Sequence, residues 1–300
     1  MRNVQIITDS CSDLTPELME RFDMDYAQMN TVFNGETKPA DLAWTADEVH
    51  KMYNLMREGN RITTTQVPVE EFNRVFRKHL DAGRDIVYIG CALKQSGSVN
   101  TASVLAKELL KEYPEAKIHC IDSKHASMGE GLVAILAAEY VQQNPTADAD
   151  QAAAYTQERL LHVNQVVTVH TLDYLKRAGR VTASSAFFGN LLGVKPILVT
   201  DVEGTQTAVK KAKGRLGSFR EMIAMLAEQL ENPEEQTLYL AHADCDPKEI
   251  EQFKAMVREK IPCKDIYTGY IGPIIGASIG PDAVALFGVG KEITYRATEK

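Results

Sequence analysis

Residues 85–121 read DIVYIGCALKQSGSVNTASVLAKELLKEYPEAKIHCI, and this stretch decides the fold. Its opening, Asp85-Ile86-Val87-Tyr88-Ile89-Gly90, is a short apolar, β-branched run that reads as a buried strand. Residues 100–112 read as a helix and 118–121 as a second strand. Strand, helix, strand is the grammar of a parallel crossover, and a sheet built from such units is covered by helices.

The same alternation runs outward in both directions. Residues 4–8 form another strand, and Thr15-Pro16-Glu17 supplies a helix start with Pro at the first helical position. Residues 26–33 read as one strand ending at the turn signal Asn34-Gly35. Thr45-Ala46-Asp47-Glu48 is a capping box for a helix with Val49, Met52, Tyr53 and Met56 on one face. Residues 69–81 repeat that spacing with Phe72, Val75, Phe76 and His79, and Gly83 stops them. Residues 130–142 read as a further helix. The stretch 143–150 turns polar, so a domain junction is expected there or just after the helix 149–162, giving units 1–160 and 161–300.

In the second half, residues 197–200 and 205–209 flank Glu203-Gly204, a hairpin signal that implies a mixed sheet. Residues 216–231 carry Phe219, Met222, Ile223 and Leu226 at helical spacing. Strands at 238–240 and 266–270 are separated by a helix at 247–260, and 283–289 is the last strand. No repeat or low-complexity segment interrupts the pattern.

Composition narrows the function. The 300 residues are 44% hydrophobic and 25% charged, enough to bury a sizeable core without staples. The 33 basic and 41 acidic residues give a net charge of −8, which argues against nucleic-acid binding and adsorption to anionic membranes. The start is not a signal peptide, and no run approaches the ~20 apolar residues of a membrane span, so no integral membrane segment is expected. Five widely spaced cysteines without a CxxC point to a reducing, cytoplasmic setting.

Polar or Gly-rich clusters punctuate the strand ends. Thr8-Asp9-Ser10-Cys11-Ser12-Asp13 follows the first strand and suits either phosphate or nucleophile chemistry or simple turn capping. Arg61-Ile62-Thr63-Thr64-Thr65-Gln66 precedes a helix whose N–H groups can receive an anion. Gln95-Ser96-Gly97-Ser98 exposes hydroxyls and N–H groups together, a carboxylate or phosphate cradle lacking the P-loop and GxGxxG patterns. Residues 270–282 contain Gly-Pro twice and Ser278, either a connector between strands or a pocket wall. The seven histidines form no HxH or HExxH pair, so no metal and no cofactor is expected; His242-Ala243-Asp244-Cys245-Asp246 reads as a strand end with capping before it reads as a metal cluster. Lys210, Lys211, Lys213 and Arg215 form a basic patch, a solvated face or a docking surface.

Taken in order, these clusters resemble the DegV family of bacterial fatty-acid-binding proteins over almost the whole chain. Thr8 to Leu14 matches the family's Thr-Asp-Ser-x-Ser-Asp-Leu, and Thr64-Thr65-Gln66 looks like its Thr-Ser-Gln. Ser96-Gly97-Ser98 resembles its Ser-Gly-Thr, and Ile121-Asp122-Ser123 with Ser127, Gly129 and Gly131 fits the next motif. Leu172-x-Tyr174-Leu175-Lys176-Arg177-Ala178-Gly179-Arg180-Val181, Lys195-Pro196-Ile197-Leu198 and Gly272-Pro273-Ile274-Ile275-Gly276 complete the order.

The resemblance implies an α/β protein with a three-layer α/β/α N-terminal domain holding a mostly parallel sheet, and a two-layer C-terminal domain with a mixed sheet. It implies a carrier that encloses a long-chain fatty acid between its domains and presents the carboxylate to a fatty acid kinase for acyl-phosphate formation and phospholipid synthesis. The family's carboxylate-binding residues map to Thr64 and Ser96, with Thr65 and Gly97 completing the cradle. Ser278, Arg180 and Lys213 join the ligand-binding set. Two positions depart from the family: its His-x-Gly-Pro-Gly is Ser278-Ile279-Gly280-Pro281-Asp282 here, so the carboxylate-contacting His is Ser and the last Gly is Asp. A His can carry charge near neutral pH, whereas a Ser donates once and stays neutral. Phe187, Phe188, Leu191, Leu192 and Ile275 are candidates for the acyl-chain lining or for ordinary core. Two alternatives stand beside this one. The first is a carrier of another amphiphilic or small carboxylic acid. The second is a hydrolase or phosphotransferase using Asp9, Ser10, Asp122 or Ser123.

Overall fold

A computed structural model of the chain describes residues 2–183 and 193–297. They form two compact units, Met1–Ala43 with Thr64–Leu160, and Trp44–Thr63 with Leu161–Lys300. The expected units, 1–160 and 161–300, were continuous in sequence; the excursion Trp44–Thr63, grouped with the second unit, departs from that.

The first unit is organised by a parallel sheet of β1 (Val4–Asp9), β2 (Asp25–Ala27), β6 (Asp85–Gly90) and β7 (Ile118–Asp122) in the order β2-β1-β6-β7. All six residues of β6 are buried, so both faces of the sheet are covered. Helices α3 (Val69–Asp81) and α4 (Ser98–Glu112) pack on each other and on the sheet, as do α5 (Met128–Gln143) and α6 (Ala149–Arg159). Two helical layers thus enclose the sheet. Phe72, Phe76 and Tyr88 are fully buried between α3 and β6, with the Phe72 and Tyr88 rings edge-on at 5.1 Å. α1 (Pro16–Arg21) begins as expected, with Thr15 capping the Leu18 N–H and Pro16 in the first turn.

The expected strand 26–33 is two strands. β2 ends at Ala27; the Met29 N–H then turns to the Ser10 hydroxyl, and the chain leaves the parallel sheet. β3 (Asn30–Phe33) instead pairs antiparallel with β4 (Glu36–Pro39), and β5 (Thr63–Thr65) joins them in a small second sheet. The β3–β4 turn is Asn34-Gly35, with φ of 51° and 79°; a two-residue hairpin turn needs both angles positive.

The second unit holds a mixed sheet ordered β10-β9-β8-β13-β11-β12, from β8 (Val163–Thr168), β9 (Val194–Thr200), β10 (Gln206–Lys213), β11 (Thr237–His242), β12 (Asp265–Tyr270) and β13 (Val284–Val289). β11 and β12 are parallel and the other pairs antiparallel. Helices α8 (Gly214–Gln229) and α9 (Pro247–Lys260) pack together over this sheet, with Phe219, Met222, Leu226 and Phe253 buried against Leu238, Leu240, Val284 and Leu286. At the β9–β10 hairpin, Asp201 Oδ1 accepts the N–H groups of Glu203 and Thr205, which fixes the turn read from Glu203-Gly204. β10 runs to Lys213 rather than to 209, so Lys210, Lys211 and Lys213 stand on an edge strand. Charged side chains there discourage pairing with another chain.

α2 (Ala46–Arg57) has the full capping box read from Thr45 and Glu48 and belongs to this second unit. The Gly-Pro segment expected as a strand connector or pocket wall contains a helix, α10 (Pro273–Ile279), started by Pro273 after Gly272. α7 (Asp173–Ala178) ends at Gly179 in the left-handed conformation.

Candidate functional site

In the first unit, two of the polar segments come together. Thr64 and Thr65 end β5, and the chain continues through Gln66 to Val67. The Val67 N–H donates to Ser98 Oγ at 3.2 Å, and Gln66 Nε2 donates to Thr101 Oγ1 at 2.8 Å. These bonds lay the Thr-Thr-Gln segment along the start of α4. Ser96 and Ser98 share a hydroxyl hydrogen bond of 3.0 Å, and the Ser98 N–H also points to Ser96 Oγ. Gly97 is the residue before α4 and offers no side-chain cap; no acidic residue sits in the first turn. A helix N-terminus presents N–H groups and a partial positive charge, so this end suits a carboxylate.

Gly97 has a packing reason to be glycine. A Cβ there would lie 2.2 Å from Gln66 Oε1. Thr65 is exposed and receives Asn30 Nδ2 at 3.3 Å; Thr64, Ser96 and Gly97 are half-buried. The cradle therefore has hydroxyl donors that remain reachable. Gln66 and Ser98 bind the two segments together; the hydrogen-bonding residue types at these positions were the signal that pointed to them.

The residues of the hydrolase alternative are otherwise engaged. Asp9 is fully buried and spends its carboxylate on the Cys11 N–H, the Cys91 N–H and the Tyr88 hydroxyl; burial pushes its pKa up. Ser10 Oγ takes the Met29 N–H, Ser123 bonds the backbone of His125, and Asp122 Oδ1 accepts the Leu93 and Lys124 N–H groups.

In the second unit, Ser278 is half-buried on α10. Arg180 is exposed, its guanidinium turned to the Ala178 carbonyl, and Lys213 is exposed where β10 meets α8. The surroundings of Asp282 fit the departure there, and nothing in the structure explains Ser278. Asp282 has φ of 65°, a left-handed conformation natural to glycine and tolerated by Asp. Its carboxylate receives Arg57 Nη2 at 2.7 Å, while Arg57 Nη1 reaches Asp244 at 2.6 Å. Gly280, with φ of 81°, faces the Tyr174 ring, and a Cβ there would lie 2.4 Å from it. The Leu-x-Tyr-Leu stretch and the Gly-Pro stretch are thus packed on one another. Tyr53 of α2 sits against Gly276 and donates to the Ile271 carbonyl at 2.7 Å.

Three basic groups carry shifts that the sequence does not reveal. Lys195 Nζ lies 3.0 Å from His170 Nδ1; burial lowers the pKa of both, with the Lys195 charge adding to the shift of His170 and the Arg215 charge to that of Lys195. His242 is buried beside the Tyr270 ring, accepts the Cys245 N–H on Nδ1 at 3.3 Å, and is pulled down to about 4 by burial. Phe187, Phe188, Leu191 and Leu192, named as lining candidates, lie outside the described residues. Ile275 is half-buried on α10.

Known proteins match this chain over nearly its whole length. The DegV family profile, described as "Uncharacterised protein, DegV family", matches residues 3–291. A DegV domain-containing protein of Clostridium perfringens is 33% identical over 291 residues, covering 97% of this chain and 98% of its own. One from Streptococcus pyogenes is 29% identical over 289 residues, covering 95% and 98%. Among solved structures, a DegV lipid-binding protein of Thermotoga maritima superimposes with a TM-score of 0.82 at 25% identity, covering 97% of this chain and 100% of its own. A DegV family protein from Thermus thermophilus, described as fatty acid binding, gives 0.84 at 24%, covering 97% and 100%. A stearic-acid-binding protein of Eubacterium ventriosum gives 0.84 at 23%, covering 97% and 98%. The last two likenesses, at such identities, speak to the fold. With a family match across nearly its full length and a relative 33% identical over 97% of it, the chain belongs to the DegV family.

Proposed function

We propose that this chain binds a long-chain fatty acid and presents its carboxylate to a fatty acid kinase for acyl-phosphate formation. The observation that carries the reading is the seating of Thr64-Thr65-Gln66 along the start of α4, where Ser96 and Gly97 stand. Thr64, Thr65 and Ser96 donate hydroxyl hydrogen bonds to the carboxylate, and the α4 N-terminus supplies N–H groups and favourable charge. Ser278, Arg180 and Lys213 are proposed as further ligand-binding residues, on their match to the family's positions. Each buried CH₂ contributes about 0.8 kcal/mol, so an acyl chain supplies most of the affinity and the head group supplies orientation. The lipid-binding and fatty-acid-binding relatives support the ligand class.

The test is extraction of the purified protein under denaturing conditions, followed by mass spectrometry. One equivalent of a fatty acid is expected, and its chain length is read directly. A clean extract, with no uptake of added oleate, overturns the ligand. The handover has its own assay: loaded protein, ATP and a fatty acid kinase catalytic subunit should yield acyl phosphate. No product from protein shown to be loaded overturns the handover alone.

A further inference from the structure

Cys11, Cys91 and Glu130 are 80 and 39 residues apart in sequence, yet one ligand atom from each lies within 4.8 Å of the other two, fully buried. Cys11 follows β1, Cys91 follows β6, and Glu130 stands in the first turn of α5. The three therefore cluster at the carboxyl ends of two neighbouring parallel strands, where open α/β sheets hold ligands.

A second observation points the same way. Glu130 Oε1 accepts the Thr8 hydroxyl at 2.7 Å, but Oε2 is buried with no hydrogen-bond partner. Ser12 Oγ, one residue after Cys11, is also buried and unpartnered. A buried carboxyl oxygen left without a partner is a costly arrangement that a bound group would relieve. Nearby, Asp9 is held by the Cys11 and Cys91 N–H groups and fixes the backbone at both sulfurs.

We propose that Cys11, Cys91 and Glu130 form a binding site for a zinc-class divalent cation. Two thiolates and a carboxylate are the donor set of borderline-soft cations, and they discriminate against magnesium and calcium, which take hard oxygen ligands. Three protein ligands leave a fourth tetrahedral position for water or a hydroxyl. Ligation releases three protons to solvent, one from each thiol and one from the Glu130 carboxyl, and the cation's two positive charges offset two of the three anionic ligands. Without the cation, burial pushes the Cys11 thiol up. At Cys91 the Cys11 contact pulls down, but burial with Glu130 and Asp9 carries it up to about 11, so both sulfurs rest protonated. The cation would cross-link β1, β6 and α5 in the first unit. The absence of any CxxC hid the site from the sequence, because the ligands meet only through parallel strand pairing. The site is independent of the fatty-acid reading.

Because the ligands are buried, the cation is best supplied during folding. Full-length reduced protein is unfolded in denaturant with a chelator, freed of both, and refolded with Co²⁺ as an optical probe and with Zn²⁺ alone. One equivalent of Co²⁺ is expected, with a thiolate-to-cobalt charge-transfer band in the near ultraviolet that Zn²⁺ displaces. Cys11→Ser and Cys91→Ser should each remove the band, and Glu130→Gln should weaken binding at least tenfold. Cys120→Ala should leave it intact. Refolded wild-type protein with native circular dichroism and no charge-transfer band overturns the site. A band that survives in Cys11→Ser, or a Cys11–Cys91 disulfide in protein purified without reductant, overturns it as well.

Discussion

Gly97 shows how a missing side chain shapes the cradle. Its φ is −83°, so no backbone demand requires glycine; a Cβ would instead have to push aside the flexible end of Gln66. Gly97→Ala should displace Gln66 from Thr101 and weaken fatty acid binding while leaving thermal stability nearly unchanged. At Ser96 and Thr64 the effect is direct. A hydrogen bond to a charged group is worth about 1.5–3 kcal/mol, so Ser96→Ala and Thr64→Val should each raise the fatty acid Kd about tenfold to a hundredfold. Unchanged affinity in both variants would remove the cradle from the carboxylate. Asp282 is the converse of Gly97, a side chain where the backbone favours none. Asp282→Gly gives up an ion pair that is partly exposed, worth at most about 1 kcal/mol, and relieves the left-handed conformation, so urea denaturation should find it near neutral. Asp282→Val should lose about 1–3 kcal/mol, because a β-branched residue is strained there.

At the scale of elements, α2 is the sharpest case. Its existence was legible, since Thr45 and Glu48 make a complete capping box and Val49, Met52, Tyr53 and Met56 mark one buried face. Its partner was not. Tyr53 reaches the Ile271 carbonyl across 218 positions, and Arg57 reaches Asp282 across 225. Local chemistry starts a helix, but nothing local says which unit it packs in. Tyr53→Phe should therefore destabilise the protein by about 1–2 kcal/mol in urea, by leaving a buried carbonyl unpaired. No loss would mean that the carbonyl finds another donor. The same contrast explains the other departures. The parallel crossover around β6 was readable because Ile86-Val87-Tyr88-Ile89 is an unbroken apolar run followed by a helix and a second strand. The strand 26–33 hid a break because Met29 leaves the sheet for a side-chain acceptor, Ser10, that only the fold brings near. α10 hid in a Gly-Pro stretch whose start signal, Pro273 after Gly272, was visible but attached to only seven residues. The cradle was legible as residue types at strand ends; its joining bonds, Gln66 to Thr101 and Val67 to Ser98, were not.

At the scale of the whole molecule, titration sums groups that pull in opposite directions. Burial alone would raise Asp25, but hydrogen bonds from His79 and Lys78 hold it well below its ordinary value. Its stabilisation is present above about 3.8, the unfolded value, and is lost as pH falls further. Asp9 and Glu130 are raised by burial, so their folded forms keep protons that the unfolded chain has released, and they favour folding as pH falls. His242 acts against them in an overlapping window. Its unfolded pKa is 6.5 and its folded pKa about 4, so between those values the unfolded chain takes up a proton that the folded chain refuses. Stability from this group is full above 6.5 and falls by about 1.4 kcal/mol per pH unit down to about 4. The total curve mixes these terms, but a difference isolates one. Gln in place of His keeps an acceptor in reach of the Cys245 N–H and does not titrate. The unfolding free energy of wild type minus His242→Gln, measured by urea denaturation from pH 7.5 to 4.5, should decline with that slope below 6.5 and be flat above it. A constant difference across the range would mean that His242 takes up its proton in the folded protein, with Asp244 as the counter-charge that admits it.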